Sequence, residues 1–118
     1  MDLFSQRKIY SVSDITAEIK RSLDVLGIVW IQGEISNFKR HTSGHLYFSL
    51  KDARAQIKAA CFRNNNMYLK FRPEDGMEVV ARGRLSVYEP RGDYQVIVDY
   101  MEPVGLGSLQ LAFDQLKE

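Results

Sequence analysis

The spacing of apolar residues changes once along the chain, from helical spacing to strict alternation. Before residue 28, apolar residues recur every three or four positions with charged residues between them: Ile15, Ile19, Leu23 and Leu26. This pattern predicts an amphipathic helix over 11–27, with Ser13 as its N-cap and Gly27 as its stop. One face of that helix must pack against another part of the domain.

After Gly27 apolar and polar residues alternate, which is the period of a β-strand. Five such segments predict five strands: 29–36, 45–51, 55–62, 77–88 and 94–102. Gly33 interrupts the first strand and indicates a bend or a barrel corner. Residues 38–44 predict a loop, and 89–93 predict a turn.

The remaining segments predict two further helices. One lies within 64–76, starts near an asparagine cap and ends at Pro73 and Gly76, and the other is capped by Ser108. We therefore predict an all-β, five-stranded OB-fold Greek-key barrel with an N-terminal helix, a short helix between strands 3 and 4, and the start of a C-terminal linker helix. A β-sandwich ranks second, because it usually needs about seven strands.

Length and composition are those of one soluble domain: 118 residues, 45% hydrophobic and 26% charged. No apolar run approaches the roughly 18 residues of a membrane span, and the first residues form no signal peptide. Cys61 is the only cysteine, which fits a reducing compartment. We expect a cytoplasmic protein that makes no membrane contact.

The net charge of +1 hides an uneven distribution. Residues 39–91 carry eleven Lys and Arg against five Asp and Glu, whereas 92–118 carry one against five. A basic middle segment favours a surface that faces a polyanion, although random variation in surface charge would give the same counts.

Catalytic and metal-binding patterns are weak. His41 and His45 are four residues apart on a loop and a strand edge, and Cys61 adds one ligand where zinc needs three or four. We recognise no glycine-rich phosphate loop, no G-x-S-x-G motif and no carboxylate cluster. We expect no catalytic residue, no metal and no cofactor in this chain.

The binding interpretation has more support. OB barrels bind single strands on strands 2 and 3 and through the loops that join strands 1–2 and 4–5. Aromatic and basic residues occupy those positions here: Lys39, Arg40, Tyr47, Lys58, Phe62, Arg63 and Arg91. Aromatic rings stack on bases and cations follow phosphates, as single-strand binding requires.

Structural interpretations compete for several aromatic residues. Tyr47 would cover a barrel edge, and Phe62 would belong to the core if strand 3 were shifted by one residue. Trp30 is expected to pack under the first helix. Tyr88 and Tyr94 are expected to form a cross-strand pair beside the turn.

Six strings follow one another over almost the whole chain: YSVSDITAEIKRSL (10–23), GEISNF (33–38), SGHLYFSLKD (43–52), CFRNNN (61–66), YEPRGDY (88–94) and GLGSLQLAFDQLKE (105–118). Their ordered combination resembles the amino-terminal domain of the exonuclease VII large subunit family. The resemblance implies an OB-fold that holds single-stranded DNA, and it carries over Phe62 and Arg63 as DNA contacts with the two basic loops as support.

The family's catalytic domain and the helical region that binds a small subunit lie beyond this domain. The family enzyme degrades single-stranded DNA to oligonucleotides in the bacterial cytoplasm, without an absolute need for a divalent metal. The resemblance thus implies a non-catalytic fragment: a helical extension (1–27), a DNA-binding barrel (28–104) and the start of a linker helix (105–118). An RNA-binding OB module and an OB domain that contacts only protein stay open as alternatives, as does self-association.

Overall fold

The computed structural model describes residues 6–117 of the chain. Its elements follow in this order: α1 (Val12–Leu26), β1 (Ile28–Arg40), β2 (Leu46–Lys51), β3 (Gln56–Cys61), α2 (Arg63–Asn66), β4 (Glu78–Tyr88), β5 (Asp93–Pro103) and α3 (Leu106–Gln115). The five strands and the order of the helices agree with the sequence pattern.

The strands close into a barrel in the order β1-β2-β3-β5-β4, and β1 pairs with β4 to complete it. Every neighbouring pair is antiparallel except β3 and β5, which run parallel. This is the arrangement of the predicted OB-fold, which is therefore confirmed.

Strand β1 pairs with two other strands, β4 and β2, because it bends at its centre. Residues 28–34 pair with β4, and residues 34–40 pair with β2 around a bulge. Gly33 lies at this change of partner, where an added Cβ would come within 3.2 Å of the backbone oxygen of Lys51. The predicted barrel corner is present, and glycine permits the close approach of the two strands.

The hydrophobic core fills the barrel with the inward residues of the five strands. Its members are Ile35, Leu46, Phe48, Leu50, Ala59, Cys61, Val79, Ala81, Val96, Val98 and Met101, with Phe71 and Met77 from the segment between α2 and β4. The inward residues of β3 are the predicted ones. Phe62 is therefore not a core residue, and the alternative of a shifted strand 3 is wrong.

Two predicted boundaries between strands and their connections are wrong. β1 continues to Arg40, so the loop before β2 comprises only residues 41–45. The added strand residues are held by Phe38, whose ring centroid lies 6.2 Å from that of Phe48 and whose N–H donates to a carboxylate oxygen of Asp75 at 2.9 Å. Helix α2 begins at Arg63 with Phe62 at its N-cap position, and no asparagine caps it. It already ends at Asn66, so the predicted end at Pro73 and Gly76 is wrong as well.

Two predicted caps also shift. The N-cap of α1 is Ser11, whose hydroxyl accepts a hydrogen bond from the Asp14 N–H at 2.9 Å, whereas Gly27 ends the helix with a φ of 64° as expected. Helix α3 starts after Gly105. Ser108 does not cap it, because its hydroxyl accepts a hydrogen bond from the Glu78 N–H at 2.8 Å and so ties α3 to the barrel.

Helix α1 packs against β4, as its amphipathic pattern requires, but the contact is shallow. No residue of α1 is buried, and Ile19 on its apolar face keeps 49% of its surface exposed. None of the helices in the described part of the chain has the length and apolar character needed to cross a membrane.

Candidate nucleic-acid interface

A groove of about 840 Å³ lies on the outer face of β2 and β3 and extends to β5 and the β4–β5 turn. It contains five of the seven residues that the sequence predicted to bind nucleic acid: Lys39, Tyr47, Lys58, Phe62 and Arg91. We call this surface the β2–β3 groove.

Strand alternation places these side chains outward. In β2, Leu46, Phe48 and Leu50 are buried, so Tyr47 must lie on the opposite face. The register pairs Tyr47 with Ala60 of β3, whose small side chain forms the floor of the groove beside the tyrosine ring. Lys58 lies two pairs further along, opposite Ser49, and therefore on the same face as Tyr47.

Two aromatic rings of the β2–β3 groove are each held by a histidine. Tyr47 is 41% exposed, and its ring meets that of His41 edge to face, with centroids 6.2 Å apart. Phe62 is partly buried, and its ring meets that of His45 in the same way at 5.1 Å. Both phenyl groups are available in the groove for stacking on an unpaired base.

Three cationic side chains line the groove, and the carboxylate of Asp93 forms ion pairs with two of them. Lys58 Nζ lies 3.4 Å from Asp93 Oδ2, and Arg91 Nε lies 3.6 Å from the same oxygen. The Arg91 guanidinium also lies 4.7 Å from the ring centroid of Tyr88. Lys39 forms no ion pair with any residue in 6–117. The groove therefore keeps a positive charge that a phosphate backbone could neutralise.

The other two predicted residues lie outside the groove lining. Arg40 is the exposed last residue of β1 and pairs with Leu46, whereas Lys39 pairs with Tyr47 on the groove face. Arg63 is the exposed first residue of α2, next to Phe62. Its side chain packs along Gly44, where an added Cβ would lie 3.1 Å from Arg63 Cδ.

Sequence reasoning missed Tyr88, which also lines the groove together with Asn37 and Gln95. The expected pair of Tyr88 with Tyr94 is wrong, because the register pairs Tyr88 with Asp93 and Val87 with Tyr94. The two tyrosines are therefore on opposite faces of the β4–β5 hairpin. The alternation of β4 already placed Tyr88 on the outer face of the barrel, and this was the sequence feature that could have assigned it to the groove.

Trp30 does not pack under α1, contrary to expectation. It is 56% exposed, and the pairing of β1, β4 and β5 places it in one row with Arg82 and Tyr100. The Arg82 guanidinium carbon lies 5.7 Å from the Trp30 ring centroid and 5.6 Å from that of Tyr100, and its Nε lies 2.7 Å from Asp99 Oδ1. We call these four residues the Trp30 face.

Cys61 and the histidines do not assemble a reactive centre in the described residues. Among residues 6–117, no three His, Cys, Asp or Glu side chains cluster closely enough to hold a metal ion. Burial, and to a smaller extent the carboxylate of Asp99, raises the pKa of the Cys61 thiol to about 11. The thiol is thus protonated near neutral pH and is a poor nucleophile.

Comparisons with known proteins agree with this architecture. A family model described as an OB-fold nucleic acid binding domain matches residues 10–102. Relatives named exodeoxyribonuclease 7 large subunit are 53% identical in Geotalea uraniireducens over 100% of this chain, and 55% identical in Halothermothrix orenii over 96% of it. The chain spans only 27% and 29% of those two relatives.

Solved structures show the same fold at low sequence identity. A Replication Protein A heterotrimer bound to single-stranded DNA superimposes with a TM-score of 0.56 at 16% identity, over 77% of this chain and 67% of that one. The Stn1–Ten1 complex of S. pombe superimposes with a TM-score of 0.54 at 11% identity, over 76% of this chain and 68% of that one.

Proposed function

Because the chain belongs to the family of OB-fold nucleic acid binding domains, we propose that it captures single-stranded DNA for an exodeoxyribonuclease VII large subunit. The observation that carries this proposal is the β2–β3 groove, which combines exposed aromatic rings with surplus positive charge. The names of the relatives, of which the chain spans 27% and 29%, support the assignment to this longer protein.

The groove suits a single strand better than a duplex. Tyr47 and Phe62 offer ring faces for bases, and only unpaired bases expose faces that can stack. Lys39 pairs with Tyr47 across β1 and β2, Lys58 lies on β3, and Arg91 lies in the β4–β5 turn, so the phosphates of a bound strand would meet cations from three parts of the groove. Arg40 and Arg63 lie just beyond the groove, where they would extend this contact to neighbouring phosphates.

In this proposal the domain binds DNA and does not cut it. The proposed domains are an extension over 1–27 that carries α1, the binding barrel over 28–104 and the beginning of a linker to a catalytic domain over 105–118. Residues 1–5 and 118 of these ranges lie outside the part of the chain that the structure describes. Degradation of single-stranded DNA to oligonucleotides and the contact with a small subunit then belong to the rest of the longer protein, in the bacterial cytoplasm. Purified domain should accordingly release no oligonucleotides from single-stranded DNA, with or without magnesium, and sustained release would contradict this assignment.

A fluorescence titration tests the choice of ligand. Labelled oligo-dT, oligo-U and duplex DNA of equal length are titrated with the domain, and we expect the tightest binding to oligo-dT. A preference for oligo-U would favour an RNA-binding module. The absence of binding to all three would favour an OB domain that contacts only protein.

The salt dependence tests the role of the cations. For single strands, log K falls with log salt at about −0.7 per neutralised phosphate, so about four to six engaged cations predict a slope of about −3 to −4. Arg63→Ala should flatten the slope by about 0.7, whereas Arg84→Ala should leave it unchanged. Arg84 is the control because it is also exposed but, unlike Arg63, is not adjacent in the chain to any residue that lines the groove. A wild-type slope near zero would show that the basic groove is not the binding surface.

A further inference from the structure

We propose that His45 and Asn66 are positioning residues that hold Phe62 and Arg63 in the orientation needed for binding. This inference rests on the proposed function. Neither residue lines the β2–β3 groove, and their side-chain nitrogens are engaged in hydrogen bonds within the protein. His45 joins the loop of residues 41–45 to the start of α2, and Asn66, the last residue of α2, joins the helix to the same loop and to the end of β3.

His45 caps α2 from the β1–β2 loop. The first N–H groups of a helix lack partners within the helix, and Phe62 at the N-cap position has no side-chain oxygen to offer. The His45 imidazole fills this role, because its Nδ1 accepts a hydrogen bond from the Arg63 backbone N–H at 3.0 Å. The bond requires a ring without a proton on Nδ1. The same ring lies edge to face with Phe62, so one side chain orients both DNA contacts.

Asn66 closes the connection from the other side. Its side-chain Nδ2 donates one hydrogen bond to the Gly44 backbone oxygen at 2.7 Å and another to the Cys61 backbone oxygen at 3.0 Å. The first bond reaches the β1–β2 loop, and the second reaches the end of β3. A carboxylate of the same shape could make neither bond, because it has no N–H to donate.

The groove therefore depends on contacts outside its lining. The β1–β2 loop and the Phe62–Arg63 segment form neighbouring parts of the surface, and these three hydrogen bonds hold the two parts together. Without the bonds, a nucleotide would have to order both segments when it binds, and that ordering costs affinity. No cation is lost in the process, so the salt dependence should stay as it is.

The test uses two His45 variants that separate its hydrogen bond to Arg63 from its ring contact with Phe62. His45→Phe keeps an aromatic ring beside Phe62 and removes the acceptor, whereas His45→Asn keeps an acceptor near the position of Nδ1 and removes the ring. We expect His45→Phe to weaken oligo-dT binding about three- to tenfold, the usual effect of one hydrogen bond, with an unchanged salt slope. His45→Asn should restore most of the loss. Asn66→Ala, which removes both donated hydrogen bonds without adding a charge, should weaken binding at least as much as His45→Phe.

Amide hydrogen exchange of Arg63 in the free domain gives a second readout that does not depend on DNA. Exchange should be faster in His45→Phe than in the wild type, and close to wild type in His45→Asn. Equal Arg63 exchange in wild type and His45→Phe, or a binding loss that His45→Asn does not rescue, would overturn the inference. If wild-type domain fails to bind oligo-dT, the proposed function is wrong instead, and the exchange data still decide whether His45 holds this segment.

Discussion

The β2–β3 groove and the Trp30 face carry the same kinds of residue on one barrel, yet they differ in charge. In the groove, Lys58 and Arg91 share the single carboxylate of Asp93. On the Trp30 face, Arg82 has the carboxylate of Asp99 to itself, at 2.7 Å. The groove is left with surplus positive charge, whereas the charge of Arg82 is cancelled.

A second carboxylate makes the Trp30 face less suitable for a polyanion. The Tyr100 hydroxyl donates a hydrogen bond to Glu102 at 2.7 Å, and this bond raises the pKa of Tyr100. A phosphate arriving there would displace one carboxylate and approach another. We therefore expect an exposed aromatic residue next to an arginine to bind nucleic acid only where the arginine also has charge that no carboxylate neutralises.

The largest difference between the two faces is expected for their aromatic residues. Phe62→Ala should weaken oligo-dT binding by about 1–3 kcal/mol, the usual effect of losing one base–aromatic stack, and should leave the melting temperature nearly unchanged. Trp30→Ala removes a more exposed ring and should leave binding unchanged. Titrations and melting curves on both variants measure this difference.

Two outcomes of that experiment would contradict the comparison. An equal loss of binding in Trp30→Ala would mean that the strand also contacts the Trp30 face. A loss of stability of roughly 3–5 kcal/mol in Phe62→Ala would show that this side chain acts as a core residue.

A smaller difference is expected for the carboxylates. Asp93→Asn removes the partner of two groove cations and should tighten oligo-dT binding about two- to fivefold, in line with the small energies of exposed ion pairs. Asp99→Asn removes the partner of Arg82, and we expect no measurable change in affinity. The two variants lose the same charge from the same strand, so equal tightening would show that only overall charge matters.

The smallest effect is expected at Cys61, on the inner face of β3. Its folded-state pKa of about 11 results mainly from burial, with a lesser contribution from Asp99, so Asp99→Asn should lower that pKa slightly. The pH dependence of the Cys61 Cβ chemical shift, followed by NMR in the folded domain, measures it, and Asp93→Asn is the control. An unchanged midpoint in Asp99→Asn would show that the Asp99 charge does not reach the thiol.

The raised Cys61 pKa also has a consequence for stability. The unfolded thiol ionises near its usual value of 9.0, before the folded thiol does. Its contribution to stability is therefore complete below about pH 9 and is lost as the pH rises toward 11. Cys61→Ala should show a weaker fall in unfolding free energy across this window than the wild type.

The strand phases were predictable from the sequence because alternation is local to each strand. Buried Leu46, Phe48 and Leu50 require an outward Tyr47 wherever β2 lies, and the same reasoning placed Lys58 and removed Phe62 from the core. Gly33 marked the corner for an equally local reason, the lack of a Cβ at a close approach of two strands.

The partners of these side chains were decided only by the tertiary structure. Trp30, Arg82 and Tyr100 come from three strands that are distant in the sequence, and they meet because barrel closure pairs β1 with β4 and β4 with β5. The bond from the Arg63 N–H to His45 likewise depends on a loop that ends beside α2. Alternation determines which face a residue occupies, but strand register and closure determine its neighbours, and the neighbours set its free charge and its orientation.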